Sequence, residues 1–221
     1  NRKIKATVEY LNNICKNIAR SLYGTEKNIF VKSSCLLITG DTASDYEVFK
    51  MFINQLTIYI KHIPIVIILG NHELWPFQST NLKETINTYR KFLNNFPNVF
   101  LVHNELLCLS VSKEYETPRL IYEYISKEQI YSMEDSQLQS YTSLYDILIL
   151  GGIGFAGYNK DFNAVNGIYR NALTKEEELI ETKIFEKIYT KVSNSLFQTN
   201  IMVATHMPTQ DWLEDNQLNN N

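Results

Sequence analysis

The sequence predicts a layered α/β fold, and three observations carry that prediction. Apolar runs too short for independent helices recur at residues 36–38, 65–69, 146–150 and 201–204. Segments with helical apolar spacing alternate with them. Three of the runs end in polar clusters, read in order as GDTASD, GNHE and THMP.

Ile4, Val8, Leu11, Cys15, Ile18 and Leu22 alternate steps of four and three, which predicts an amphipathic helix that Gly24 is placed to end. Leu36, Leu37 and Ile38, then residues 65–69, are bounded by glycine and proline. They read as strands of a parallel sheet buried on both faces. Between them Phe49, Phe52, Ile53, Leu56 and Ile60 repeat at helical spacing, completing a strand–helix–strand unit. Leu82, Ile86, Tyr89, Leu93 and Phe96 give another helix, closed by Pro97. Residues 99–102 and 106–111 read as a strand pair around a turn at Asn104. The tyrosine-, serine- and glutamine-rich residues 113–144 are the least patterned; a strand at 120–124 and a helix opened by Ser126 are expected there. A buried strand follows at 146–150, then a capping box of Thr174 and Glu177 opens a helix running past Val192. The last strand, 201–204, ends at Thr205-His206-Met207-Pro208. With no repeat and no clear linker, residues 1–221 read as one domain.

Composition narrows the function classes. A hydrophobic content of 44% and an aromatic content of 12% suit a globular core. A net charge of −3, with no long basic run, excludes a nucleic-acid footprint. The longest apolar stretch, near 63–69, is far short of a membrane span, and no signal-peptide pattern opens the chain. Cys15, Cys35 and Cys108 are odd in number, far apart and in apolar surroundings, so they read as buried thiols of a reducing, cytoplasmic compartment. Composition says nothing of oligomeric state. The chain starts at Asn1, already within a helical pattern, which suggests a piece of a longer polypeptide.

In open α/β sheets, ligands bind at the carboxyl edge of the strands. Asp41 and Asn71 each follow a glycine at such an end. The glycine leaves the backbone free to turn and bring the side chain close to a cation. The alternative for Asp41 or Asp45 is a cap on the following helix. Asn71 offers a carbonyl oxygen, His72 an imidazole that can ligate or carry a proton, and Glu73 a carboxylate. His206 ends a strand whose apolar run matches the two before it, whereas His62 and His103 lack polar clusters around them and read as structural. Two oxygen donors and a histidine delivered to one edge form a metal-site layout.

These motifs resemble the calcineurin-like metallophosphoesterases, whose series is D-x-H, G-D-x-x-D, G-N-H-D/E, a histidine often followed by x-P, and G-H-x-H. The middle three occur here in order, as Gly40 to Asp45, Gly70 to Glu73 and His206-Met207-Pro208. The resemblance implies a layered fold of central β-sheets flanked by helices. It implies that Asp41 bridges two metal ions while Asn71 and His206 ligate the second. It also makes His72 the general acid, with Asp45 hydrogen-bonded to its ring. The pattern is similar to uncharacterised bacterial phosphoesterases. It departs from protein serine/threonine phosphatases, where arginine and glycine follow the second aspartate, since here Tyr46 and Glu47 do. No D-x-H precedes and no G-H-x-H follows these motifs, so the fold is expected to be incomplete at both ends and this fragment inactive by itself.

Gly152-Ile153-Gly154-Phe155-Ala156-Gly157 is a literal G-x-G-x-x-G, but a dinucleotide site needs a helix to begin within it, and the next helical pattern waits until Thr174. A nucleotide-dependent oxidoreductase is therefore the weakest functional class. The segment 158–170 reads instead as a loop at the rim of the site, with Asn163 and Arg170 as candidate substrate contacts, or as solvated side chains.

The function these readings imply is metal-dependent phosphoester hydrolysis, by phosphatase or phosphodiesterase chemistry. Two divalent ions (manganese, iron or zinc) would lie about 3.5–4 Å apart and acidify a bridging water as the nucleophile, and His72 would protonate the leaving oxygen. The alternative is a catalytically silent scaffold of the same fold that binds proteins.

Overall fold

The computed structural model describes residues 2–23, 35–78, 80–112, 119–154, 167–196 and 199–207. Its strands are β1 (Leu36–Thr39), β2 (Ile65–Ile68), β3 (Val99–Leu101), β4 (Glu105–Ser112), β5 (Arg119–Ile125), β6 (Ile147–Gly152) and β7 (Asn200–Thr205). Its α-helices are α1 (Arg2–Tyr23), α2 (Tyr46–Tyr59), α3 (Asn71–Leu74), α4 (Leu82–Leu93), α5 (Lys127–Ser132), α6 (Asp135–Thr142) and α7 (Lys175–Asn194).

The strands form two sheets. The first, β1-β2-β3, is parallel throughout. The second runs β5-β4-β6-β7, with β4 antiparallel to both neighbours and β6 parallel to β7. Ile65 and Ile67 of β2 pack with Leu11, Phe49, Ile53 and Tyr89 from α1, α2 and α4. Val66 and Ile68 point the other way, onto Leu107, Leu109 and Ile149 of the second sheet. A third core lies between that sheet and α5, α6 and α7, around Leu106, Leu148, Ile188 and Val192. The layers are therefore helix, sheet, sheet, helix. β2 is buried on both faces as its unbroken apolar run predicts, but its second face is covered by a sheet rather than by helices.

Two sequence expectations need correction. Residues 99–102 and 106–111 are not a strand pair: β3 joins β2, while β4 joins β5 and β6. At Asn104 (φ 56°) the chain steps from one sheet to the other, and its N–H donates to Gly151 O at 2.7 Å. The segment after Ser126 holds two helices, not one. Ser126 and Gln129 form the capping box of α5, and α6 follows after a break at Met133.

The glycine series of 152–157 serves the packing of this fold as far as it is described. Gly154 (φ 76°) lets the chain turn beneath the end of β7, where an added Cβ would stand 2.5 Å from Met207 O. Ile153 O then accepts the N–H groups of His206 and Met207, at 3.2 and 2.9 Å. Cys15, Cys35 and Cys108 are free thiols, and burial pushes their pKa values up to about 11, 11 and 12. Among the described residues no helix is long and apolar enough to cross a membrane.

Candidate metal centre

β1 and β2 run parallel in register, from Leu36 opposite Ile65 to Thr39 opposite Ile68, so the residues that follow them emerge side by side. Gly40 (φ 89°) and Asp41 (φ 54°) turn the chain sharply there, and aspartate is one of the few non-glycine residues that tolerate the left-handed region. A Cβ on Gly40 would stand 2.5 Å from His206 Nδ1 and 2.7 Å from Gly70 Cα, so only glycine lets the three chain segments meet.

Glu73 ties the two turns together. Its carboxylate is fully buried and accepts backbone N–H groups from Asp41 at 3.0 Å, Ala43 at 3.0 Å and Gly70 at 2.7 Å. Charge-assisted bonds of this kind are the strong ones, and here three converge on one anion. Tyr89 in turn donates its hydroxyl to Glu73 O at 2.9 Å. Burial, and then the Glu73 charge, raise the Tyr89 pKa well above the usual phenol range, so the hydroxyl stays a donor.

His206 follows β7 and reaches across to the first sheet. Its Nδ1 lies 2.8 Å from Thr39 O. A carbonyl only accepts, so Nδ1 carries a proton, and Nε2 is the ring nitrogen turned toward the site. That Nε2 lies 2.9 Å from Asn71 Oδ1 and 3.3 Å from Asp41 Oδ1. The Asn71 amide is oriented from its other side, where Nδ2 donates to Ile168 O at 2.9 Å. Nε2 of His206 thus stands close to two oxygens at once, a spacing that either a shared N–H donor or a bound cation satisfies. Ligand bonds of about 2.0–2.2 Å at roughly right or tetrahedral angles place neighbouring donors about 3–3.5 Å apart, and the two separations from Nε2 are compatible with that spacing. Asp41 is 35% exposed against 16% for His206, which leaves the Asp41 side open to solvent. Among the described residues no group of three or more His, Cys, Asp or Glu side chains is arranged so that it could hold a metal ion; this set has an asparagine as its third member.

His72 begins beside the same carboxylate, its backbone N–H donating to Asp41 Oδ1 at 3.1 Å. Its ring stacks on Trp75, with centroids 3.6 Å apart, and its Nε2 lies 3.7 Å from Asp41 Oδ2. The hydrogen bond expected from Asp45 to this ring is not among the contacts of the described residues. Asp45 is the N-cap of α2, and its carboxylate accepts from Val48 N at 2.9 Å. The unpaired N–H groups of the helix N-terminus compete for that carboxylate and hold it.

Arg170 lies against Trp75, with Cζ 3.5 Å from the ring centroid. Asn163 lies outside the described residues. Ile168 O accepts from both Asn71 Nδ2 and Trp75 Nε1, the latter at 2.8 Å, so one carbonyl of the 167–171 segment orients a candidate ligand and the indole together. Sequence reasoning missed the roles of Glu73 and Trp75, although the first stands inside GNHE and the second two residues beyond it. His103, read from the sequence as lacking a polar cluster, does have polar partners. Its Nε2 lies 3.0 Å from Glu181 Oε2, Asn104 donates to the same oxygen, and Glu105 pairs with Arg90 at 2.7 Å.

A family model described as calcineurin-like phosphoesterase matches residues 7–219. The chain belongs to the calcineurin-like phosphoesterase family. No curated protein and no solved structure matches it. Members of this family in general hydrolyse phosphoesters with the help of divalent metal ions, and the mixed sheets flanked by helices agree with the fold of this calcineurin-like phosphoesterase. Its strand-end motifs supply the Asp41, Asn71 and His206 cluster.

Proposed function

We propose that the complete protein hydrolyses phosphoesters at the cluster of Asp41, Asn71 and His206, with His72 as the general acid. The observation that supports this most is the convergence of the Asp41, Asn71 and His206 side chains, two of them oriented by backbone carbonyls from distant segments. Oxygen and imidazole donors suit manganese, iron or zinc. When bound, such ions supply positive charge for the phosphoryl oxygens and lower the pKa of water.

The residues of the chain do the rest. Asp41, Asn71 and His206 fix the position of the phosphoryl group through what they hold. Asp41 would be shared between ions as the resemblance implies; its Oδ1 faces His206 and its Oδ2 is turned toward His72. His72, its ring braced on Trp75, is positioned to pass a proton to the departing alkoxide, a step typically worth about 10²–10⁴ in rate.

The test is hydrolysis of p-nitrophenyl phosphate and of phenyl phosphate, with the corresponding diesters, in added manganese and after chelation. Activity that needs metal is expected. His72→Ala should slow the phenyl ester far more than the p-nitrophenyl ester, whose leaving group departs without a proton. Equal losses on both esters would remove His72 as the acid. A protein that takes up no manganese and stays inactive on every ester with the metal added would instead favour a silent, protein-binding scaffold.

A further inference from the structure

Trp75 carries a side chain on each face of its indole. The His72 ring lies 3.6 Å from its centroid and the Arg170 guanidinium carbon 3.5 Å from it. Two groups that close to one centroid would collide on a single face, so they lie on opposite faces. At 3.5 Å the guanidinium must also lie flat, because an edge-on group would drive a nitrogen into the ring. A flat guanidinium keeps its N–H donors in the plane, around the rim of the indole, with its orientation already set. The indole is in turn fixed by its bond to Ile168 O at 2.8 Å, two residues before Arg170.

The contacts run in series: Asp41 to His72 at 3.7 Å, His72 to Trp75, Trp75 to Arg170. Arg170 therefore lies across the indole from His72, the residue proposed as the general acid. We propose that Arg170 is a specificity-determining residue that binds a second anionic group, a phosphate or carboxylate, carried by the leaving alcohol of the substrate. This rests on His72 being the acid that faces the leaving oxygen. With both faces of Trp75 occupied, the indole is not a platform for stacking an aromatic leaving group, so recognition on this side falls to charge. The planar fork of arginine suits a two-oxygen anion, which a lysine meets only as a point charge.

Binding can be measured apart from hydrolysis with two phosphonates that no esterase cleaves: phenylphosphonate, and 4-phosphonobenzoate, which carries an added carboxylate. Calorimetry in excess manganese should show the second binding at least about tenfold tighter, the effect of one hydrogen-bonded charge pair. Arg170→Ala should bring that ratio close to one, and Arg170→Lys should restore part of it. In turnover of 4-carboxyphenyl phosphate the Arg170→Ala loss should fall on KM rather than kcat. Equal binding of the two phosphonates by the unaltered chain would overturn the proposal. So would an Arg170→Ala variant that weakens both to the same degree, since Arg170 would then serve the scissile phosphate. A chain that keeps the tenfold preference but hydrolyses no ester would remove the hydrolase reading and leave the anion site standing.

Discussion

Nε2 of His206 lies 2.9 Å from Oδ1 of Asn71, although 135 residues separate them. The contact joins two candidate ligands of one metal position. His206→Ala should therefore remove most of the rise in melting temperature that added manganese produces. Cobalt titration followed by visible absorption gives the affinity directly, and a loss of more than about tenfold is expected. Equal metal-induced stabilisation in the two proteins would remove His206 from the ligand set.

Elemental analysis addresses stoichiometry. Asp41, Asn71 and His206 would supply three of an expected four ligands to one position, and Asp41 alone to a second. A lone carboxylate does not hold a transition ion against water. The chain of 221 residues is expected to retain no more than one ion after desalting, and two tightly held ions would show that further ligands exist.

Glu73 should matter for stability more than any other carboxylate near the site. Glu73→Gln replaces an anion that accepts three backbone N–H groups with an amide that must turn donors toward some of them. A loss of about 2–4 kcal/mol by urea denaturation is expected, together with weaker metal binding because the Asp41 and Gly70 turns loosen. A change below about 0.5 kcal/mol would mean that the turns hold without it.

Asp45 is assigned by the structure to the end of α2. Asp45→Asn, an equally good cap, should change neither stability nor turnover, whereas Asp45→Ala should cost about 1 kcal/mol. A slowed turnover in the asparagine variant, with stability unchanged, would place Asp45 beside His72 during catalysis after all.

The pair of His103 and Glu181 predicts how the fold responds to acid. Burial raises the Glu181 pKa, but hydrogen bonds from His103 and Asn104 and the charges of His103 and Lys127 outweigh it, and the net pKa is lowered. A carboxylate depressed in the folded state contributes stability above its unfolded pKa and loses it as pH falls through the folded value. Glu105, pushed upward chiefly by burial, acts in the opposite sense: its contribution is present at low pH and fades as pH rises through its folded value. Glu181→Gln should flatten the fall in melting temperature below about pH 4.5, the usual carboxylate range. An identical acid limb in the variant would show that other carboxylates set it.

How much of this was legible in the sequence follows from what local patterns encode. The runs at 36–38, 65–69 and 201–204 identified strands β1, β2 and β7, and the polar clusters behind them located Asp41, Asn71 and His206, because apolar period and chain direction are local properties. The capping boxes at Ser126 and Thr174 were equally local. Which layer covers the second face of β2 was not, since helix and sheet bury the same isoleucines and valines. Only the tertiary structure decided that β3 and β4 part at Asn104 into different sheets. It also decided the orientation of the His206 ring, through Thr39 O 167 residues away, and the turn of the Asn71 amide, through Ile168 O 97 residues away. Backbone carbonyls carry no residue identity, so no motif announces them. The sequence by itself determined which side chains arrive at the edge; the fold decided which of their atoms face one another, because that depends on partners the chain meets only when the sheets pack.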